Sequence, residues 1–181
     1  DTLRSITPDS SYSFRVGPPQ DEGPGWQNHV VFSTLMDETG TLWAGTGGGL
    51  NRSRAEDVSS TGERAWRRFE AGPQPDRLTG NTVVALAEQP RPDGRNPNWM
   101  ASWAGGGADG QRFGVTMTPD GGRTFRKVLV GERIFDLAAR DGRVFAVAEQ
   151  GLFVSADQGQ AWRSIEDVRL KGGVKALPPE V

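Results

Sequence analysis

Short runs in which apolar and polar residues alternate recur along the chain, separated by turn-forming residues. Alternation of period two puts successive side chains on opposite faces of a strand, so each run predicts a β-strand with one face turned inward. The clearest succession lies near the C-terminus. Ile134–Ala139 alternates, Arg140-Asp141-Gly142 turns the chain, and Arg143–Ala148 alternates again. Gln150-Gly151 supplies the next turn, Leu152–Ser155 the third run and Trp162–Ile165 the fourth. These are four short strands joined by hairpins.

The same plan occurs twice upstream, with longer loops. One unit comprises Thr82–Ala87, Trp99–Trp103, Gly114–Met117 and Thr124–Val128; the other comprises Val30–Leu35, Thr41–Ala44, Gly49–Arg52 and Ala65–Phe69. Leu35, Leu86 and Leu137 fall at matching places in the three opening strands, 51 residues apart in each case. Leu3–Ile6 and Tyr12–Val16 predict the last two strands of a preceding unit, and Gly173–Leu177 the first strand of a following one. Four-stranded units repeated every ~40–50 residues are the sequence signature of β-propeller blades. The expected fold is therefore all-β: about three complete blades of four antiparallel strands (21–80, 81–132 and 133–170). Partial blades at 1–20 and 171–181 flank them. Since propellers close with ~4–8 blades, the chain reads as a fragment or half of a larger ring, completed by the same or another chain.

An eight-residue pattern marks the turn between third and fourth strands. It reads Thr118-Pro-Asp120-Gly-Gly122-Arg-Thr124-Phe125 and Ser155-Ala-Asp157-Gln-Gly159-Gln-Ala161-Trp162, with a weaker copy from Thr7 to Phe14 that includes Asp9. The third turn of the first complete unit (Ala55–Arg64) is longer and has lost the acid. An aspartate two residues before a glycine accepts backbone N–H groups from the turn it opens. Gly122 and Gly159 allow a positive φ without a Cβ clash. Phe125 and Trp162 then anchor the fourth strand by burying large apolar area. Asp9, Asp120 and Asp157 are thus expected to cap turns rather than to catalyse.

This octapeptide resembles the Asp-box (BNR) repeat of sialidases, sortilin-like receptors, xyloglucanase-type glycoside hydrolases and photosystem II assembly factor propellers. Asp37-Glu-Thr-Gly40-Thr-Leu-Trp43-Ala-Gly45-Thr46-Gly-Gly-Gly49-Leu50 resembles a second propeller repeat, that of periplasmic two-component sensors. Together the two resemblances span nearly the whole chain. They imply the propeller fold and a location outside the cytoplasm. They leave three functions open: a non-catalytic binding or assembly module, part of a glycoside hydrolase, or a receptor sensor domain.

Composition narrows the chemistry. Among 181 residues, 35% are apolar, with 25 glycines and 12 prolines, as many short strands and tight turns require. No apolar run approaches the ~18 residues of a spanning helix, so no membrane span is expected. A net charge of −2 with both signs interspersed argues against nucleic acid as a partner. With no cysteine and a single histidine, His29, neither a Cys/His metal centre nor a Ser–His relay is expected, and no cofactor is implied. The chain opens at Asp1 without an initiator methionine, which reads as a processed product or an internal segment.

Candidate sites are few. Phe14-Arg15-Val16-Gly17-Pro18 resembles a sialidase arginine signature, but Arg15 follows an Asp-box instead of preceding the first, and the sole tyrosine, Tyr12, lies inside that box. A glycoside hydrolase needs two facing carboxylates. Asp76, Asp109, Glu132 and Glu149 lie in loops, and nothing in the sequence pairs them. Gly45–Gly49 and Gly105–Gly107 precede no helix and no Lys-Ser/Thr, so they read as blade turns and not as phosphate loops. Arg64, Arg67 and Arg68 could bind an acidic partner, but alternation on an outer strand, with Trp66 and Phe69 inward, favours a solvated edge. Loops joining fourth to first and second to third strands share one face of a propeller. That face is expected to carry Trp26, Asn28 and His29, Asp76 and Arg77, Asp109 and Arg112, and Glu132 and Arg133. Mixed charge with an aromatic suits a protein or glycan partner, so Trp26, His29, Asp76, Arg77, Asp109, Arg112 and Arg133 are the candidate binding residues, with no catalytic and no metal-ligating set.

Overall fold

The computed structural model describes residues 30–54, 66–104 and 110–165. The expectations for Asp9, Trp26, His29, Arg64 and Asp109, for the expanded third turn and for the strands at both ends lie outside these residues. The described residues form twelve strands: β1 (Val31–Met36), β2 (Thr41–Thr46), β3 (Gly49–Arg54), β4 (Arg67–Phe69), β5 (Thr82–Glu88), β6 (Asn98–Trp103), β7 (Gly114–Thr118), β8 (Arg126–Val130), β9 (Ile134–Arg140), β10 (Arg143–Ala148), β11 (Gly151–Ser155) and β12 (Arg163–Ser164). They form three four-stranded sheets, each in sequence order, with every neighbouring pair antiparallel. The first strands pack side by side, β1 on β5 and β5 on β9, so the sheets stack as successive propeller blades around those inner strands.

Two apolar layers hold the blades together. Trp43 and Leu50 of blade one meet Val83, Met100 and Phe125 of blade two, with Leu78 of the connecting loop. Ala87, Trp99, Val115 and Met117 of blade two meet Ile134, Leu137, Val144 and Ala146 of blade three. Blade two is covered on both faces, which is why β7 is buried at every residue and β6 at all but its last. The outer blades leave apolar side chains open, among them Phe32, Met36, Phe135 and Val147.

Each inner strand carries a β-bulge near its start, between Val31 and Ser33, between Val83 and Ala85, and opposite Val147 and Ala148. A bulge adds one residue and bends the strand. The bulged residues are Phe32, Val84 and Phe135, and this register corrects the leucine alignment. Leu86 and Leu137 do correspond, each two positions past the bulge and turned toward the preceding blade. Leu35 is three positions past its bulge, matching Ala87, and packs toward the following blade. A shift of one residue exchanges faces in a strand, so the equal sequence spacing hid a reversal. Two fourth strands also differ from expectation. β8 starts at Arg126 instead of Thr124 and β12 spans only Arg163–Ser164, because the turn aspartate claims the residues before them.

Glycine is required where blades touch. A Cβ on Gly45 would meet Val83 O at 2.6 Å, and one on Gly159 would meet Val128 Cβ at 2.7 Å. The Gly-rich stretch after Trp43 therefore serves close approach. Its two-residue hairpin closes through the Thr46 hydroxyl, which donates to Gly49 O and accepts from Gly48 N.

Candidate functional site

The two described octapeptide turns are built alike. In the first, the Thr118 hydroxyl accepts the Gly122 N–H at 2.7 Å and donates to Asp120 Oδ1. Asp120 Oδ1 also accepts the amides of Arg123 and Thr124, and Oδ2 accepts the Thr124 hydroxyl at 2.6 Å. In the second, Ser155 and Asp157 repeat the relay to Gly159 and Ala161, but Ala161 has no hydroxyl to offer. Burial alone would raise the Asp120 carboxyl; the hydrogen bonds from Thr124, Thr118 and Arg123 together hold it below its ordinary value. The Ala161 amide, followed by the Ser155 hydroxyl, does the same for Asp157. Carboxylates so occupied are acceptors fixed in turns. Their aromatic partners staple each blade to the one before: Phe125 lies edge-on to Phe69 at 4.9 Å, and Trp162 edge-on to Trp99 at 6.1 Å. Trp162 Nε1 also donates to Val128 O at 2.9 Å.

Asp37, which opens the second motif, holds a comparable structural post. Its Oδ1 accepts from the Thr39 amide and hydroxyl and from the Thr41 amide. Its Oδ2 accepts Trp43 Nε1 at 2.7 Å and reaches Asn98 Nδ2 of blade two at 3.2 Å. Burial opposes ionisation, yet these donors hold the carboxyl below the usual range. The matching residue of blade two, by backbone pairing, is Gln89. Among the described residues, Gln89 Oε1 and Trp99 Nε1 there are both buried without a hydrogen-bond partner. The motif's aspartate thus does for Trp43 what no described residue does for Trp99.

A different arrangement lies on the face of the fourth-to-first and second-to-third loops. Arg133 sits with its guanidinium 4.6 Å from the centre of the Trp103 ring, 5.7 Å from Phe135 and 5.9 Å from Phe113. Trp103 ends β6, Phe113 precedes β7, and Phe135 is the bulged residue of β9. The bulge sets the Phe135 ring perpendicular to Trp103 at 5.8 Å. Trp103 Nε1 donates to Ile134 O, and the Glu149 amide to Arg133 O, so the ring and the loop are fixed from behind. Arg133 itself is exposed and Phe135 is 44% exposed. A cation over aromatic rings is favourable by about 0.5–2 kcal/mol and leaves the outer N–H groups free to donate.

Of the expected binding residues, Arg133 lies in this cluster and Arg112 adjoins it through Phe113. The Arg112 amide also bonds Thr79 O at 2.7 Å. Asp76 and Arg77 fall elsewhere, lining a cleft with Arg67, Arg68, Arg123 and Phe69 at the outer boundary of blades one and two. Trp103, Phe113 and Phe135 were not among the expected residues. The run Arg112-Phe113 and the pair Arg133/Phe135 were visible signals, but only the β9 bulge brings them together. Among the described residues no group of His, Cys, Asp or Glu side chains is arranged to hold a metal ion, and no helix is long and apolar enough to cross a membrane.

No family model and no curated protein matches the chain. Solved structures do. The extracellular domain of a protein assigned to a hybrid two-component system of B. thetaiotaomicron superposes with a TM-score of 0.57 at 16% identity, over 84% of this chain and 20% of that one. The extracellular domain of a protein assigned to a one-component system of the same organism gives 0.55 at 17% identity, over 83% and 18%. The chain therefore shares its fold with these domains and spans about a fifth of their length.

Proposed function

We propose that this chain is a non-catalytic recognition segment of an extracytoplasmic propeller, reading a protein or glycan with its loop face. The observation that carries this is the cluster of exposed Arg133 and Phe135 on the half-buried rings of Trp103 and Phe113. The Phe135 ring, 44% exposed, offers stacking area, and an arginine pre-organised beside it offers directed donors, the combination found at binding hot spots. Asp120 and Asp157 are spent on their own turns, so we assign them no part in hydrolysis. Of the binding readings, a receptor sensor domain is favoured over an assembly factor, because both structural neighbours are extracellular domains assigned to one- or two-component systems. In titration calorimetry against an oligosaccharide and peptide panel, Trp103→Ala and Arg133→Ala are expected to abolish any binding seen with the native chain. Binding unaffected by both, or glycan hydrolysis that Asp76→Ala abolishes, would overturn the proposal.

A further inference from the structure

The outer cleft between blades one and two has a different character from the loop face. It encloses about 240 Å³, and its lining includes four arginines, Arg67, Arg68, Arg77 and Arg123. They come from three separate elements: β4, the loop that follows it, and the octapeptide turn of blade two. Arg68 is neutralised by Glu70 at 2.7 Å and also grips Gly48 O. Among the described residues, Arg67, Arg77 and Arg123 have no carboxylate within ion-pair distance. Arg67 rests on the Phe69 ring at 5.0 Å, and Lys127 lies alongside, its ammonium on Gly72 O at 2.6 Å. Asp76 is the one acid of the lining outside the Arg68 pair.

We propose that this cleft binds an acidic peptide segment of a protein partner. Guanidinium groups converging from three elements suit a ligand with several carboxylates, each taken by paired N–H donors. The aromatic rings here are less open than at the loop face: Phe125 is 8% exposed and Phe69 is flanked by Arg67 and Phe125, whereas Phe135 is 44% exposed, so the cleft offers a sugar little ring face to stack on. β4 is also the terminal strand of its sheet, and such strands take up extended peptides through main-chain hydrogen bonds. The site is separate from the loop-face platform and does not depend on it.

Fluorescence anisotropy with a labelled octa-glutamate peptide tests this on the whole chain. The native protein is expected to bind it in 50 mM salt and to weaken at least tenfold in the Arg77→Ala/Arg123→Ala double variant. Arg143→Ala, an exposed arginine on blade three, is expected to leave the affinity unchanged. Should the double variant melt early, Arg77→Ala alone, at an exposed loop position, is expected to weaken binding at least threefold. No binding by the native protein, or equal weakening by Arg143→Ala, overturns the proposal. So does a preference for a sulfated disaccharide over the peptide, which would make the cleft a glycan site. Loop-face variants at Trp103 are expected to leave this binding intact.

Discussion

Asp120 and Asp157 look interchangeable in sequence but are not equivalent in the molecule. Asp120 gains a hydroxyl donor from Thr124 that Ala161 cannot supply to Asp157. Asp120→Ala is expected to lower stability by about 1–2 kcal/mol, the usual cost of losing a side-chain cap on backbone amides, as read from a urea unfolding curve. The pH dependence follows from the direction of the shifts. Asp37, Asp120 and Asp157 all ionise more readily folded than unfolded. Their contribution is therefore present above the ordinary aspartate value of about 3.9 and is lost as pH falls through the lower folded values. Urea midpoints are expected to hold from pH 7 to 5 and to fall below pH 4, with a shallower fall in Asp120→Asn. A second residue-scale contrast lies one position further on. Gly121 has φ 67° in the first box, whereas Gln158 holds φ 61° in the second. The left-handed conformation costs a side-chain-bearing residue roughly 1–2 kcal/mol, and glycine entropy returns only about 0.5–1 of it. Gln158→Gly is therefore expected to stabilise the chain by up to about 1 kcal/mol; a lower thermal midpoint would contradict this.

At the scale of elements, turns govern the strands they join. The β9–β10 hairpin closes on Asp141 and Gly142 at φ 50° and 73°, the two positive values of a type I′ turn, so a two-residue loop suffices. The β1–β2 connection instead depends on Asp37, which organises its own turn, holds Trp43 and reaches into blade two. Asp37→Ala strands two backbone amides, a buried indole N–H and the Asn98 amide. It is expected to cost about 3 kcal/mol in chemical denaturation, since buried donors left unmade cost ~1–3 kcal/mol each and some will find water. The strands themselves were legible in the sequence because each alternates with period two between recognisable turns. Their register was not. The bulges at Phe32, Val84 and Phe135 have no local signature, and without them Leu35 aligns with the wrong residue of the next blade.

At the scale of the molecule, the main packing between blades in the described residues runs from blade one to two and from two to three, so coupling passes from one inter-blade layer to the next. Trp162 and Gly159 join blade three to blade two, as Phe125 and Gly122 join blade two to blade one. Trp162→Ala is expected to speed amide hydrogen exchange throughout β9–β12 while leaving β1–β4 within about threefold of native, as local unfolding units allow. Uniform acceleration across all three sheets would contradict nearest-neighbour coupling. The two proposed binding sites divide along the same geometry. Residues at the loop ends of blades two and three make the Arg133 platform, and residues at the outer boundary of blades one and two make the arginine cleft. Asp76 and Arg77, grouped in sequence with the other loop residues, belong to the second, because their loop runs past the outer strand before it turns inward at Leu78.

The sequence by itself determined the strands of the three described units, the four-strand repeat and the blade architecture, and it marked Asp120 and Asp157 as turn residues. All of these rest on local periodicity and on residues that bond their own neighbours. Only the tertiary structure decided which face each leucine serves, that the Trp43 indole has an acceptor where that of Trp99 has none among the described residues, and that three aromatic rings gather under Arg133. These depend on bulges and on contacts between residues distant along the chain. A period-two pattern reports that a strand has two faces; packing against the next blade decides what each face meets.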